Sequence, residues 1–182
     1  MSALQIFAMH VLSFEAHTLR CSIAFLSLQA CGDAWIVSSC VMSFPIRSAS
    51  ATVGGLFVFG RILDKIRLDA EGLLPAGYHV GIIPGKKTFD DRVCRFLGVD
   101  FEALRERTLS GGSDEEILEW CFEQGRRPNE EQIEVWNAFM QKRGWNDAAT
   151  SGLHQQKADA GLAHRDDIQT FFALFDAEEG RA

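Results

Sequence analysis

Charge is almost missing from the first 41 residues, where Glu15, Arg20 and Asp33 are the only Asp, Glu, Lys or Arg side chains. A long apolar run is missing as well, because Gly32-Asp33 interrupts the stretch 21–41. A membrane helix needs about 20 unbroken apolar residues. A secretory signal needs a basic start ahead of its apolar segment, and here the first basic residue is Arg20. Leu28-Gln29-Ala30-Cys31 matches a lipoprotein cleavage box only faintly, since Gln29 fits poorly and the preceding segment is too long. With no caps, no periodicity and no targeting logic, 1–41 is expected to be a mis-called start or a disordered extension, and Met42 the natural start.

Other absences narrow the function. The formal net charge is −7 with no basic cluster, which argues against a protein that grips phosphate backbones or anionic lipid. Neither nucleic acid nor membrane is therefore expected as a partner. Beyond residue 41 only Cys94 and Cys121 remain, one on each of two predicted helices. Two such thiols fit a reducing cytoplasm better than a disulfide framework. Ligand spacing for a metal is lacking, because His79, His154 and His164 are scattered and neither cysteine has a partner nearby. Gly54-Gly55 and Gly111-Gly112 lack the third glycine and flanking strand of a phosphate cradle, and read as helix-entry turns. Neither a metal nor a cofactor is implied.

What is present, from residue 42 onward, is an ordered series of helix signals. Apolar residues at spacings of three and four predict a helix over 56–70, stopped by Gly72 and Pro75. The stretch 78–84 is too broken by Gly81 and Pro84 for a sheet strand and reads as a buried loop. Thr88 with Asp91 opens a helix that Gly98 stops, and Asp100 caps a short one that ends before Gly111-Gly112. Ser113 with Glu116 and Asn129 with Gln132 are capping boxes. The helices they open repeat one pattern (Ser113, Ile117, Trp120 and Asn129, Ile133, Trp136) across the short link Gly125-Arg126-Arg127-Pro128, which predicts an αα-hairpin. Gly144 ends the second of them, with Trp145 placed to fold back onto its last turn. Residues 148–164 carry only a weak stripe, and a final helix is expected from Asp166 or Asp167 through Phe171, Phe172 and Phe175. The fold class is all-α: one bundle of about six or seven short helices with little or no β structure.

Chemistry is harder to place. Arg61, Asp64 and Lys65 share a face of the first helix, where Asp64 could pair with Arg61, Lys65 or Arg67. Such a row is ordinarily a solvated ion-pair ladder, but it could also clamp an anion beside Tyr78 and His79. An unperturbed imidazole changes charge near neutrality, so His79 could act as acid or base. Arg126-Arg127 and Lys142-Arg143 follow helix C-termini, where the helix dipole favours cations. Asn137, beside Trp136 at the edge of an apolar stripe, needs a buried partner or a ligand. Acidic residues at the start of the second hairpin helix suit the helix dipole and argue against a DNA-reading helix.

Several strings resemble the bacterial domain-of-unknown-function 5069 family: Gly60-Arg61-Ile62-Leu63-Asp64-Lys65-Ile66-Arg67-Leu68, Arg95-Phe96-Leu97-Gly98-Val99-Asp100 and Asp114-Glu115-Glu116-Ile117-Leu118-Glu119-Trp120-Cys121. Gly125-Arg126-Arg127-Pro128, Trp136-Asn137, Lys142-Arg143-Gly144-Trp145 and Arg165-Asp166-Asp167-Ile168-Gln169-Thr170-Phe171 do the same. The resemblance spans 42–182. It implies a small helical bacterial domain and carries over no catalytic residues. The expected function is a binding module for a protein or a small anionic ligand, with Arg61, Lys65, Tyr78, Asn137, Arg143 and Trp145 as binding residues. The alternative is a small metal-independent enzyme using His79 and Asp64 in a pocket lined by Tyr78 and Trp145; the sequence alone does not decide whether the protein is an enzyme.

Overall fold

The computed structural model describes residues 43–181; the expectation for 1–41 lies outside the described residues. Two short strands, β1 (Thr52–Val53) and β2 (Leu56–Phe57), precede α1 (Phe59–Ala70), α2 (Phe89–Leu97), α3 (Phe101–Leu109), α4 (Asp114–Gln124), α5 (Glu130–Gln141), α6 (Thr150–Asp159) and α7 (Phe171–Glu178). The architecture is all-α apart from this one hairpin.

Local chemistry explains most element boundaries. The hydroxyls of Thr88 and Ser113 and the carboxamide and carboxylate oxygens of Asn129 and Asp100 accept backbone N–H groups of the helices they open. Both capping boxes are closed in both directions. Each contact satisfies N–H groups that a helix start leaves without an intrahelical partner. At the end of α1, Gly72 takes a positive φ while the Leu73 N–H reaches back to the Leu68 carbonyl at 2.8 Å, the pattern of a Schellman stop.

The structure corrects three local expectations. Gly54-Gly55 is the turn of a β-hairpin, not a helix entry: both φ values are positive (55° and 82°), as a two-residue turn between antiparallel strands requires. Thr52 then faces Phe57 and Val53 faces Leu56. Consequently α1 starts at Phe59 and not at residue 56, after Val58 turns the chain in the left-handed region at φ 72°. The last helix starts at Phe171, capped by the Thr170 hydroxyl on the Ala173 N–H. Asp167 is held in a fork by Arg165, and the Ile168 carbonyl accepts from Lys157, so the chain there is committed to a turn. Trp145, expected to fold back onto the last turn of α5, is 51% exposed and joins neither hydrophobic cluster.

The main core gathers Phe59, Ile62, Leu63 and Ile66 of α1 with buried side chains of α2, α3, α4 and α5 and Phe172 of α7. A smaller cluster joins Leu153 of α6 to Ile168, Phe171 and Leu174, and Phe89 and Phe175 touch both. The β-turn is driven between α4 and α5. A Cβ on Gly54 would meet the Leu118 side chain at 2.4 Å, and one on Gly55 would touch Ile133 at 3.7 Å. Of the two helices that repeat one cap pattern, α5 packs chiefly on β2, and α4 packs on β1 and α3 alike.

Candidate functional site

The polar face of α1 is spoken for by the rest of the chain. Arg61 is 4% exposed. Its guanidinium donates to both oxygens of the buried Glu179 carboxylate and, at 2.8 Å, to the Arg47 carbonyl. It also lies over the rings of Phe175 (4.8 Å) and Tyr78 (5.6 Å). Burial pulls this guanidinium below its ordinary range, against the opposing pull of Tyr78, Asp90 and Asp176. Tyr78 donates its hydroxyl to Glu179 at 2.6 Å, and burial pushes that hydroxyl up. Arg181 reaches Glu179 as well, and Asp176 at 3.5 Å.

Asp64 pairs with neither Arg61 nor Lys65. Its oxygens accept from the Arg47 backbone N–H (3.0 Å), Nε (2.8 Å) and Nη2 (2.6 Å). Arg47 can lie this close because position 60 is glycine; a Cβ there would meet Arg47 Nη1 at 2.5 Å. The other Arg47 nitrogen meets Asp114 at 2.7 Å, and Arg67 meets the same carboxylate at 2.8 Å. Burial alone would raise the Asp114 carboxyl, but Arg67 and Arg47 together hold it below the usual range. Lys65 donates to both oxygens of the buried Asp90 (2.6 and 2.8 Å) and to the backbone carbonyl of His79 (3.0 Å). Asp90 also accepts from the Gly81 N–H at 2.8 Å. The His79 ring itself is exposed and makes no hydrogen bond among the described residues. These pairs fasten the segment before β1, the 78–81 loop and α7 onto α1.

Asn137 is satisfied by backbone. Its carbonyl oxygen accepts from the Phe57 N–H at 3.0 Å and its amide donates to the Gly55 carbonyl at 2.8 Å. It therefore acts as an extra partner for the hairpin, locking β2 to α5.

The end of α5 is different. The chain turns through Gly144 (φ 101°) and Asn146 (φ 49°). A Cβ at 144 would meet Leu153 at 2.9 Å and Phe171 at 3.2 Å, so glycine is required there on two grounds. Asp147 ties the turn by accepting from Arg143 (2.6 Å), Gly144 N–H (3.2 Å) and Ala149 N–H (2.6 Å). Burial would raise its carboxyl, yet these donors keep it below the ordinary value. The turn presents Trp145, 51% exposed, at a cavity of about 360 Å³ that it lines with Asn146, Thr150, His154, Lys157, Asp166 and Gln169 over an apolar base of Leu153 and Ile168. Lys157 is buried and donates to the Arg165 (2.6 Å) and Ile168 (3.1 Å) carbonyls, leaving one of its three protons for another acceptor. The side chains of Trp145, Asn146, His154, Asp166 and Gln169 have no hydrogen-bond partner among the described residues.

Of the residues singled out in the sequence, then, Arg61 and Tyr78 meet at Glu179, and Lys65 reaches the His79 backbone. Arg143 braces the turn that carries Trp145. Tyr78 does not line the cavity that Trp145 lines. Sequence reading missed Glu179, Arg47 and Asp90, and also Lys157, His154, Asp166 and Gln169. The one available signal for Lys157 was its position four residues after Leu153 on α6, the two buried positions of that helix.

The family model described as "Domain of unknown function (DUF5069)" matches residues 43–181. The chain belongs to this family. No curated protein matches it. The matched span of the DUF5069 domain takes in both the α1 network and the Trp145 cavity. Among its described residues no group of three or more His, Cys, Asp or Glu side chains is placed to hold a metal ion, and no helix is long and apolar enough to cross a membrane.

Proposed function

We propose that the protein is a binding module that takes a small ligand bearing an anionic group into the cavity beside Trp145. One observation carries this reading: Asn146, His154, Asp166 and Gln169, without side-chain hydrogen-bond partners among the described residues, converge with Trp145 and Lys157 on one concavity. A volume of about 360 Å³ suits a metabolite-sized molecule. The indole offers a flat apolar platform. The spare Lys157 proton and the His154 ring supply donors for a carboxylate or phosphate, and the Asn146 and Gln169 amides fix orientation. Arg143 contributes indirectly, through Asp147 and the turn. Acid–base chemistry by His79 and Asp64 draws no support from their placement, because Asp64 is occupied by Arg47 and the His79 ring faces solvent.

The test is a thermal-shift screen of the full chain against small carboxylates and phosphates, with hits titrated by calorimetry. A ligand at about 100 times its Kd stabilises the folded state by about 2.7 kcal/mol. The expected result is a hit that Trp145→Ala and His154→Ala each weaken at least about tenfold, or about 1.4 kcal/mol, while neither variant shifts the unliganded Tm appreciably. A screen without hits, or a hit indifferent to both substitutions, overturns the reading.

A further inference from the structure

We infer that the outer row of α5 is a self-complementary surface through which two copies of this chain pair about a twofold axis. Glu131, Val135 and Phe139 recur at every fourth position of α5 and so form one ridge. Val135 is 63% and Phe139 43% exposed, although both are large and apolar. With Phe96 and Trp136, whose rings stack at 4.3 Å, they line a groove of about 400 Å³.

The charges at the two ends of this ridge decide what covers it. Its N-terminal end is acidic, with Glu130, Glu131 and Glu134 exposed and unpaired among the described residues. Its C-terminal end is basic: the guanidinium groups of Arg92 and Arg143 both lie 5.5 Å from the Phe139 ring centre. Arg143 has Asp147, but Arg92 meets no carboxylate within ion-pair distance among the described residues. Burial and the neighbouring Arg143 and Arg95 press its pKa downward, against the smaller opposing pull of Asp91 and Asp147.

A ridge with an acid at one end, a base at the other and apolar residues between them is complementary to its own reverse. A twofold axis lying in the interface beside α5, level with residue 137, sets Val135 of one copy on Phe139 of the other. It brings Glu131 level with residue 143 of the partner copy, one turn beyond Phe139, beside the Arg143 and Arg92 guanidinium groups that flank that ring. Two interdigitating rows of this spacing cross at roughly −50°. The contact is then isologous, each pair occurring twice, and it closes at two copies. A foreign partner of single charge would satisfy one end and oppose the other.

The proposal is tested by light scattering after size exclusion and by sedimentation equilibrium on the full chain. The expected result is a dimer mass that falls to the monomer on dilution. Val135→Asp gives monomer. Glu131→Arg and Arg92→Glu each raise the dissociation constant at least about tenfold, and the two together recover most of that loss, since the swapped charges meet again. A monomer at all concentrations overturns the proposal, as does a dimer unaffected by Val135→Asp. A double variant no better than its two parents also overturns it, because the ridge ends would then not be facing one another.

Discussion

Around α1, the cationic and anionic side chains Arg61, Asp64, Lys65 and Arg67 each find an opposite charge elsewhere in the chain. Around the Trp145 cavity, the side chains of His154, Asp166, Gln169 and Asn146 have no hydrogen-bond or ion-pair partner among the described residues. Both regions are polar and both attract attention in the sequence or the structure, but they use polarity in opposite ways. A charge out of water is tolerated when its partners are fixed in place, so the α1 network is the means by which distant segments are held to the first helix. Polar groups without partners cost little while water reaches them, and they remain available to a ligand. Pairing, and not polarity, separates the structural set from the candidate binding set.

The comparison would break most visibly at Asp90. It is 1% exposed and receives Lys65 and the Gly81 N–H, so Asp90→Ala strands the part-buried Lys65 ammonium and a buried N–H. A loss of about 3–5 kcal/mol is expected from urea unfolding. Next comes Asn137→Ala, which removes two hydrogen bonds to the hairpin backbone. A cost of about 1–3 kcal/mol is expected, with exchange of the Phe57 amide accelerated by more than that of the α1 amides. Asp114 sharpens the comparison through pH. Its carboxyl is depressed in the folded state by Arg67 and Arg47, so its contribution is present above the unfolded value of about 3.9 and is lost as pH falls through the lower folded value. Asp114→Asn is therefore less stable than wild type at neutral pH, and urea midpoints of the two converge below about pH 4. The smallest effect on stability belongs to Trp145→Ala, within about 0.5 kcal/mol of wild type, since its exposed ring packs little.

The two cysteines belong with the structural set. Burial pushes the thiols of Cys94 and Cys121 up to about 12, which keeps them protonated and unreactive at neutral pH.

The helix ends were legible in the sequence because their causes are local. A capping box needs Ser or Asn and Glu or Gln three residues apart, and Ser113/Glu116 and Asn129/Gln132 fold as that spacing dictates. The hairpin was not legible: strands of two residues carry no periodicity, and Gly54-Gly55 looks the same before a helix as between strands. At the last helix, Asp166 and Asp167 offered caps as good as Thr170, and only the ties from Arg165 and Lys157 in the folded chain select between them. Helical spacing places Arg61, Asp64 and Lys65 on one face of α1, but their partners lie 17, 25 and 118 positions away, beyond any helical spacing. The cavity draws on the α5–α6 turn, α6 and the loop before α7, so no single stretch of sequence announces it.

The most direct test of the contrast is a double-mutant cycle at Arg61 and Glu179, read by equilibrium urea unfolding of the full chain. The account predicts that Arg61→Met and Glu179→Met each lose about 3–5 kcal/mol, and that the double variant loses less than their sum by about 0.5–3 kcal/mol. Arg61→Met with wild-type stability and no coupling to Glu179 would contradict it, and would return the α1 face to the list of surfaces free to bind.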